Sequence, residues 1–449
     1  MSWLGGSSFG KAPDKVVVIG LDGVPFSYLD ELIRKGEVPN VAKLVTRGSM
    51  VRADSVLPAL SGVAWASFMT GKNPGKHGIY GFLDRSPHSY DTYIPSSTTM
   101  RSDTLWELLT RAGKRVVVMN VPMTYPPRQV NGIMVAGFLS PSLEGSTYPS
   151  WVAGKLKDMG YIIDIDPWVA RESKGKFLED LRHALKRRAE ALFYFLENEK
   201  WDFFMMHIME TDRLHHFLWE DMERGSQYAQ EFIHFYKLID EILGQVYEKV
   251  KDQATLIVMS DHGFCTLKKE VYLNHWLAEN GWLKFKTASP QTLADIHPDS
   301  KAYSLYPGRI YVNLRGREPS GGVEPGKEYE AVRGQLVRGL LELRDPETGE
   351  GIVEKVLKRE ELYGGPCYHS APDLVVTARD SYDLKGSFDK DVLTHRGAVV
   401  GMHTFHDAML YINGQSIVQE RPRVVDVMPT ILDLMGVSKP ADLDGVSLI

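Results

Sequence analysis

The sequence predicts an α/β fold with a mostly parallel central sheet flanked by helices and a smaller inserted lobe. Its apolar runs, the helical spacing between them and the places where polar residues fall all point that way. The runs at 15–21, 115–119, 201–209 and 254–259 are mostly apolar, without alternation, as expected of strands buried on both faces. Segments of helical period separate them, which is the spacing of βαβ units. Strand after strand stops at an Asp or His beside a Gly or a turn, so polar side chains gather at the carboxyl edge of the sheet.

The first strand, 15–21, ends in Asp22-Gly23. Residues 26–36 then carry helical spacing, and Val38-Pro39-Asn40 opens a second helix that stops at Gly48. Leu57-Pro58-Ala59-Leu60-Ser61-Gly62 is a loop feeding a helix over 63–70, closed by Gly71-Lys72-Asn73-Pro74-Gly75. Small and hydroxyl residues at such a helix start leave backbone N–H groups pointing at an anion. A helix at 104–112 and the strand at 115–119 continue the alternation, whereas from 122 to 176 the Pro, Gly and Tyr content rises and the stretch reads as surface decoration.

An amphipathic helix over 177–197 leads to the strand at 201–209, which runs into Glu210-Thr211-Asp212-Arg213-Leu214-His215-His216. A helix over 228–251 precedes the strand at 254–259 and the run Ser260-Asp261-His262-Gly263. After a short helix at 273–281 the alternation stops for roughly 100 residues, the length of an inserted lobe. Within that stretch 309–314 reads as a strand and 329–343 as a helix. Residues 371–376 return to buried-strand character, and Gly401-Met402-His403, a strand at 408–412 and a helix over 424–435 close the chain. The expected division is a catalytic core of 1–284 and 371–449, with a lobe of 285–370 shaping the substrate pocket.

With 43% hydrophobic and 24% charged residues the chain can bury one large core and a second lobe. A net charge of -6 and a pI near 6.2 argue against nucleic acid or an anionic membrane as partner and leave a small molecule. Cys265 and Cys367 make neither a disulfide framework nor a Cys-x-x-Cys metal pattern, which suits a reducing cytoplasm. Residues 1–14 are Gly/Ser-rich, lack a long apolar stretch and read as a loose arm on a soluble protein.

The strand-end candidates are Asp22, Ser61, Asp212, His216, Asp261, His262 and His403. Carboxylate and imidazole donors without thiolate suit Zn²⁺ first and Mn²⁺ second, and their number exceeds what one four-coordinate ion uses. Two ions roughly 4 Å apart clamp the attacking and leaving oxygens of a phosphoryl displacement. Ser61 is the hydroxyl lying between the ligand segments. Asp212 and His216, at i and i+4, share a helix face, so His216 is preferred to His215. His403 is preferred to the nearby His406, and Trp65, Phe82, Tyr125 and Trp168 read as core before they read as a pocket.

In this order, Asp22-Gly23, the Ser61 loop ahead of Gly71, Asp212 with His216, Ser260-Asp261-His262-Gly263 and Gly401-Met402-His403 resemble the alkaline phosphatase superfamily, and within it the type I phosphodiesterase/nucleotide pyrophosphatase branch. The stretch from Gly71 to Gly78 and the closing Pro429-Thr430-Ile431-Leu432 extend the resemblance along nearly the whole chain. It implies an alkaline-phosphatase-like core, one divalent ion at Asp212, His216 and His403, and another at Asp22, Asp261 and His262 together with the nucleophile Ser61. It also implies hydrolysis of phosphodiesters or nucleotide pyrophosphates through a phosphoseryl intermediate.

Ser61 stands where eukaryotic members usually carry Thr, and the phosphate-holding Asn of the family has no obvious counterpart, Ala64 lying three residues after Ser61. Backbone N–H groups after Ser61 are then available for the non-bridging oxygens. Alternatives in the same fold are a phosphomonoesterase, a phosphonate hydrolase or a phosphomutase. A sulfatase is disfavoured because Ser61-Gly62-Val63-Ala64-Trp65 lacks the Pro and Arg of that motif. A silent metal-stabilised scaffold is disfavoured because every expected ligand and nucleophile position is filled.

Overall fold

Six residues in a row with no exposed side chain, Val16–Leu21, can exist only where a strand is covered on both faces, and that strand is central in the observed sheet. A computed structural model describes residues 14–449; the loose arm expected over 1–14 lies outside them except for Asp14. The chain forms two compact units, one of residues up to Asn73 with Ser96–Cys265 and His403–Ile449, the other of Pro74–Pro95 with Thr266–Met402.

The first unit is built on a sheet of strands β1 (Val16–Leu21), β2 (Gly48–Ala53), β3 (Val116–Val121), β4 (Gly132–Ala136), β5 (Thr147–Tyr148), β6 (Phe203–Ile208), β7 (Thr255–Met259) and β8 (Ala408–Asn413). Their spatial order is β2-β8-β7-β1-β6-β3-β4-β5. The run β7-β1-β6-β3-β4 is parallel, while β8 lies antiparallel to β7 and β2, and β5 antiparallel to β4. Gly20 on β1 pairs with His207 on β6 and with Met259 on β7. That register brings Asp22, Glu210 and Ser260-Asp261-His262 off the sheet along one edge.

Two expectations are corrected. The stretch 122–176 is more than decoration, since it supplies β4 and β5; the strands are short and set among Pro, Gly and Tyr, which hid their period. The strand near 371–376, observed as Leu374–Ala378, pairs with Arg309–Val312 and Val353–Lys358 in the second unit instead of returning to the core. A buried strand reads alike in either core, and only its pairing tells them apart.

The second unit is therefore wider than 285–370. A sheet of Ala302–Leu305, Arg309–Val312, Leu374–Ala378 and Val353–Lys358, with the helices Leu273–Glu279 and Lys327–Leu341, closes over a core that includes Leu277, Tyr303, Tyr311, Leu336 and Leu340. The segment Pro74–Pro95 belongs to it because the fully buried Arg309 finds its carboxylate in Asp84 and bonds Leu83 O at 2.7 Å. No helix of the described residues is long and apolar enough to cross a membrane.

Candidate metal centre

Asp22 follows β1 and is fully buried. Gly23 turns the chain there with φ +69, and its N–H donates to Asp261 Oδ1 at 3.0 Å, which ties the ends of β1 and β7 together. The helix Ser61–Thr70 is buried at every residue, a helix apolar all round that lies inside the core, and it stops at Gly71 in the left-handed region. Ser61 is its first residue. Val63 and Ala64 N–H both bond Leu60 O, so by helix geometry the N–H groups of Ser61 and Gly62 point out of its end.

The helix Glu210–Glu223 begins just past β6. Its start is anchored by buried Arg188, which pairs with Glu210 at 2.8 Å and bonds Tyr161 Oη at 2.6 Å. Glu210 and Asp212 in the first turn also sit where the helix dipole favours negative charge. His216 lies one turn on from Asp212, with Nε2 3.3 Å from Asp212 Oδ1. His215 faces away, its Nε2 2.8 Å from Tyr236 Oη among Phe232, Trp219 and Phe264.

The predicted residues converge. Ser61 Oγ is 3.1 Å from Asp22 Oδ1 and 3.2 Å from His262 Nε2. His262 Nε2 is 3.5 Å from Asp22 Oδ1 and 3.3 Å from Asp261 Oδ2. His403 Nε2 is 3.2 Å from Asp212 Oδ1 and 3.1 Å from His216 Nε2. Potential ligand atoms fall into one group of Asp22, Asp261 and His262 and another of Asp212, His262 and His403, so His262 lies at the seam. His406 points elsewhere, half-exposed and bonded through Nδ1 to Asp54 at 2.9 Å.

The ring orientations show what these groups suit. His262 Nδ1–H donates to Gly263 O and His403 Nδ1–H to Ala59 O, both at 3.0 Å, so Nε2 of each ring is the atom aimed into the cluster. Backbone carbonyls holding the far nitrogen are the usual outer support of histidine ligands. Asp261 Oδ2 is buried without a hydrogen-bond partner, an orphan that a cation would satisfy. The donor set of carboxylate and imidazole fits Zn²⁺ or Mn²⁺.

Electrostatics agree with that fit. Burial and the charge of Asp22 push the Asp261 carboxyl well above the usual carboxylate range. Burial also raises Asp212, but the His216 charge and the hydrogen bonds of His216 and His403 outweigh it and hold the carboxyl well below that range. Burial, with the charge of His403 adding to it, lowers His262 to about 3. Without a cation Asp261 is therefore the carboxyl that favours its proton; a dication beside it would favour the ionised form.

Sequence reasoning missed three neighbours of Asp22 and Asp212. His207 on β6 and Trp65, one turn after Ser61, bond Asp22 Oδ2 through Nε2 at 2.9 Å and Nε1 at 3.1 Å. Arg213 spans from Asp212 Oδ2 at 3.3 Å to Asp164 Oδ2 at 2.6 Å, under the Phe138 ring. A histidine inside an otherwise apolar strand was the one available signal. Lys72, in the loop that follows the Ser61 helix, pairs with Asp442 at 2.6 Å.

Residues 16–406 match the family described as type I phosphodiesterase / nucleotide pyrophosphatase. The chain belongs to this family. Phosphonoacetate hydrolase from Sinorhizobium meliloti, solved with phosphonoacetate, aligns over 97% of this chain and 98% of its own, at 17% identity and a TM-score of 0.66. Human ectonucleotide pyrophosphatase / phosphodiesterase 5 aligns over 96% and 97%, at 15% identity and a TM-score of 0.58. An inactive variant of the murine counterpart, in complex with AMP, aligns over the same shares, 96% and 97%, at 15% identity and a TM-score of 0.58. These likenesses show the alkaline-phosphatase-like fold. As a member of the type I phosphodiesterase family, the protein is an enzyme, a phosphoryl-transfer hydrolase.

Proposed function

We propose that the protein is a metal-dependent phosphodiesterase that uses Ser61 as nucleophile. The observation that carries this reading is the position of Ser61 Oγ, within hydrogen-bond reach of Asp22 Oδ1 and His262 Nε2 at the head of a ten-residue buried helix. Two divalent ions, one at Asp22, Asp261 and His262 and one at Asp212, His216 and His403, would supply the positive charge that phosphoryl transfer needs and favour the ionised form of the Ser61 hydroxyl.

The chain's own groups divide the remaining work. Asp22 Oδ1 orients the Ser61 hydroxyl, and burial of the helix start keeps bulk water from competing with it. The outward N–H groups of Ser61 and Gly62 hold non-bridging oxygens, the role left open by Ala64. Oγ attacks phosphorus, the Oγ–P bond forming as the bond to the leaving alcohol breaks. Water then cleaves Oγ–P, which returns the hydroxyl and releases a phosphate monoester.

The test compares bis-p-nitrophenyl phosphate, p-nitrophenyl phosphate and phosphonoacetate, with chelated protein and with protein reloaded with Zn²⁺ or Mn²⁺. The expected result is loss of turnover on chelation and recovery on reloading, with the diester preferred. A preference for the monoester makes the protein a phosphatase, and turnover of phosphonoacetate alone makes it a phosphonate hydrolase. Silence on all three after reloading overturns the phosphodiesterase reading.

A further inference from the structure

The outer oxygen of Asp22 has no exposure to water and takes two donors from the protein interior, the His207 ring at 2.9 Å and the Trp65 indole at 3.1 Å. An ionised carboxylate has no hydrogen to give, so His207 Nε2 carries it, and the far side of the ring presents Nδ1 to the interior. That Nδ1 is buried and has no hydrogen-bond partner. An unmet buried polar atom costs about 1–3 kcal/mol. Leucine at this place in the strand would fill the core without that cost. Asn120, one position past the Met119–Met206 pair on neighbouring β3, likewise has both amide atoms buried and unpartnered.

The strand therefore keeps an imidazole at some expense, and what the imidazole does is fix Asp22. With Oδ2 tied to His207 and Trp65, rotation about the Asp22 side chain is blocked and Oδ1 faces Ser61 and His262. The rings of Trp65 and His207 brace each other edge to face, with centroids 4.8 Å apart. We propose that His207 is a positioning residue that presets Asp22 as a metal ligand, Trp65 acting with it. This rests on the two-ion reading above. Outer groups of this kind change metal affinity by about 10–100-fold when removed.

The experiment measures Zn²⁺ binding by the full-length wild type, His207→Leu and His207→Gln in competition with a chromophoric chelator, and thermal unfolding of each in excess chelator. Gln carries an N–H near the place of imidazole Nε2; Leu carries none. Expected are two ions in the wild type and one of them weakened about 10–100-fold in His207→Leu. The melting temperature of His207→Leu in chelator should change by only a few degrees, relief of the orphan Nδ1 offsetting the donor lost to Asp22, and His207→Gln should bind within a few-fold of wild type. Equal affinity in His207→Leu overturns the assignment. So do parallel losses of affinity and of melting temperature in both variants, which mark a structural role. Wild type that binds no ion overturns the two-ion reading and the assignment together.

Discussion

His262 and His403 stack ring on ring, their centroids 3.7 Å and their planes 21° apart, although all of Thr266–Met402 lies between them in the chain. Each ring is pinned at Nδ1 by a backbone carbonyl, so the stack aims both Nε2 atoms without freedom to turn. The last segment of the first unit opens with His403 itself.

His403 and His406 separate cleanly on this geometry. His403→Ala should remove about one equivalent of bound metal and lower turnover at least about 100-fold, because a ligand and not merely its support is lost. His406→Ala should change neither, its ring being bonded to Asp54 at the surface. Metal analysis and diester turnover on the two variants decide it.

Ser61→Ala should lower turnover about 1,000-fold or more, as loss of a nucleophile does. The lost hydrogen bond costs only about 1 kcal/mol of stability. Metal content should stay close to wild type. Turnover near wild type in this variant would remove Ser61 from the chemistry.

Gly20→Ala tests the support beneath Asp22. A Cβ at Gly20 would stand 2.6 Å from Trp65 Cη2, and the indole is fully buried with little room to yield. Overpacking of this kind costs about 1–3 kcal/mol. The urea midpoint should fall accordingly, and turnover should fall with it as the Trp65 contact to Asp22 is displaced.

Asp373 offers a pH-dependent check on the second unit. Burial raises its carboxyl, but the charge and hydrogen bonds of Arg317, then Arg359 and Tyr329, outweigh burial and hold it below the ordinary 3.8. Its oxygens take bonds from Arg317 at 2.6 and 2.9 Å and from Tyr329 Oη at 2.6 Å. A depressed folded pKa gives stability that is present above the unfolded value and lost as pH falls through the folded one. Asp373→Asn should destabilise by about 1–3 kcal/mol at neutral pH, since Arg317 loses one of its two carboxylates and keeps Glu318 at 2.9 Å. Its acid limb, followed by urea denaturation from pH 6 downward, should be shallower than that of the wild type by the share of this one group.

The family and the fold were legible because β1, β6 and β7 are apolar on both faces and each is followed closely by ligand-type residues, a pattern carried by neighbours in sequence. The meeting of Asp22, Ser61, Asp212, His216, Asp261, His262 and His403 was expected from motif order, and the fold brings them together. What local pattern could not carry was pairing. β4 and β5 are too short to show a period, and Leu374–Ala378 would suit either core. His207 escaped notice and Trp65 was read only as core for the same reason, since their polar atoms matter only through contact with Asp22 across neighbouring elements.

The order of the segments has a consequence for synthesis. Asp22 emerges from the ribosome before any of the second unit, but its cluster faces His403 only after the whole of that unit has been made. A nascent chain stalled inside Thr266–Met402 carries Ser61 and most of the ligands yet lacks the imidazole that stacks on His262. Birth of the complete centre is thus deferred until the second unit has been made, and products truncated inside that unit are left without it.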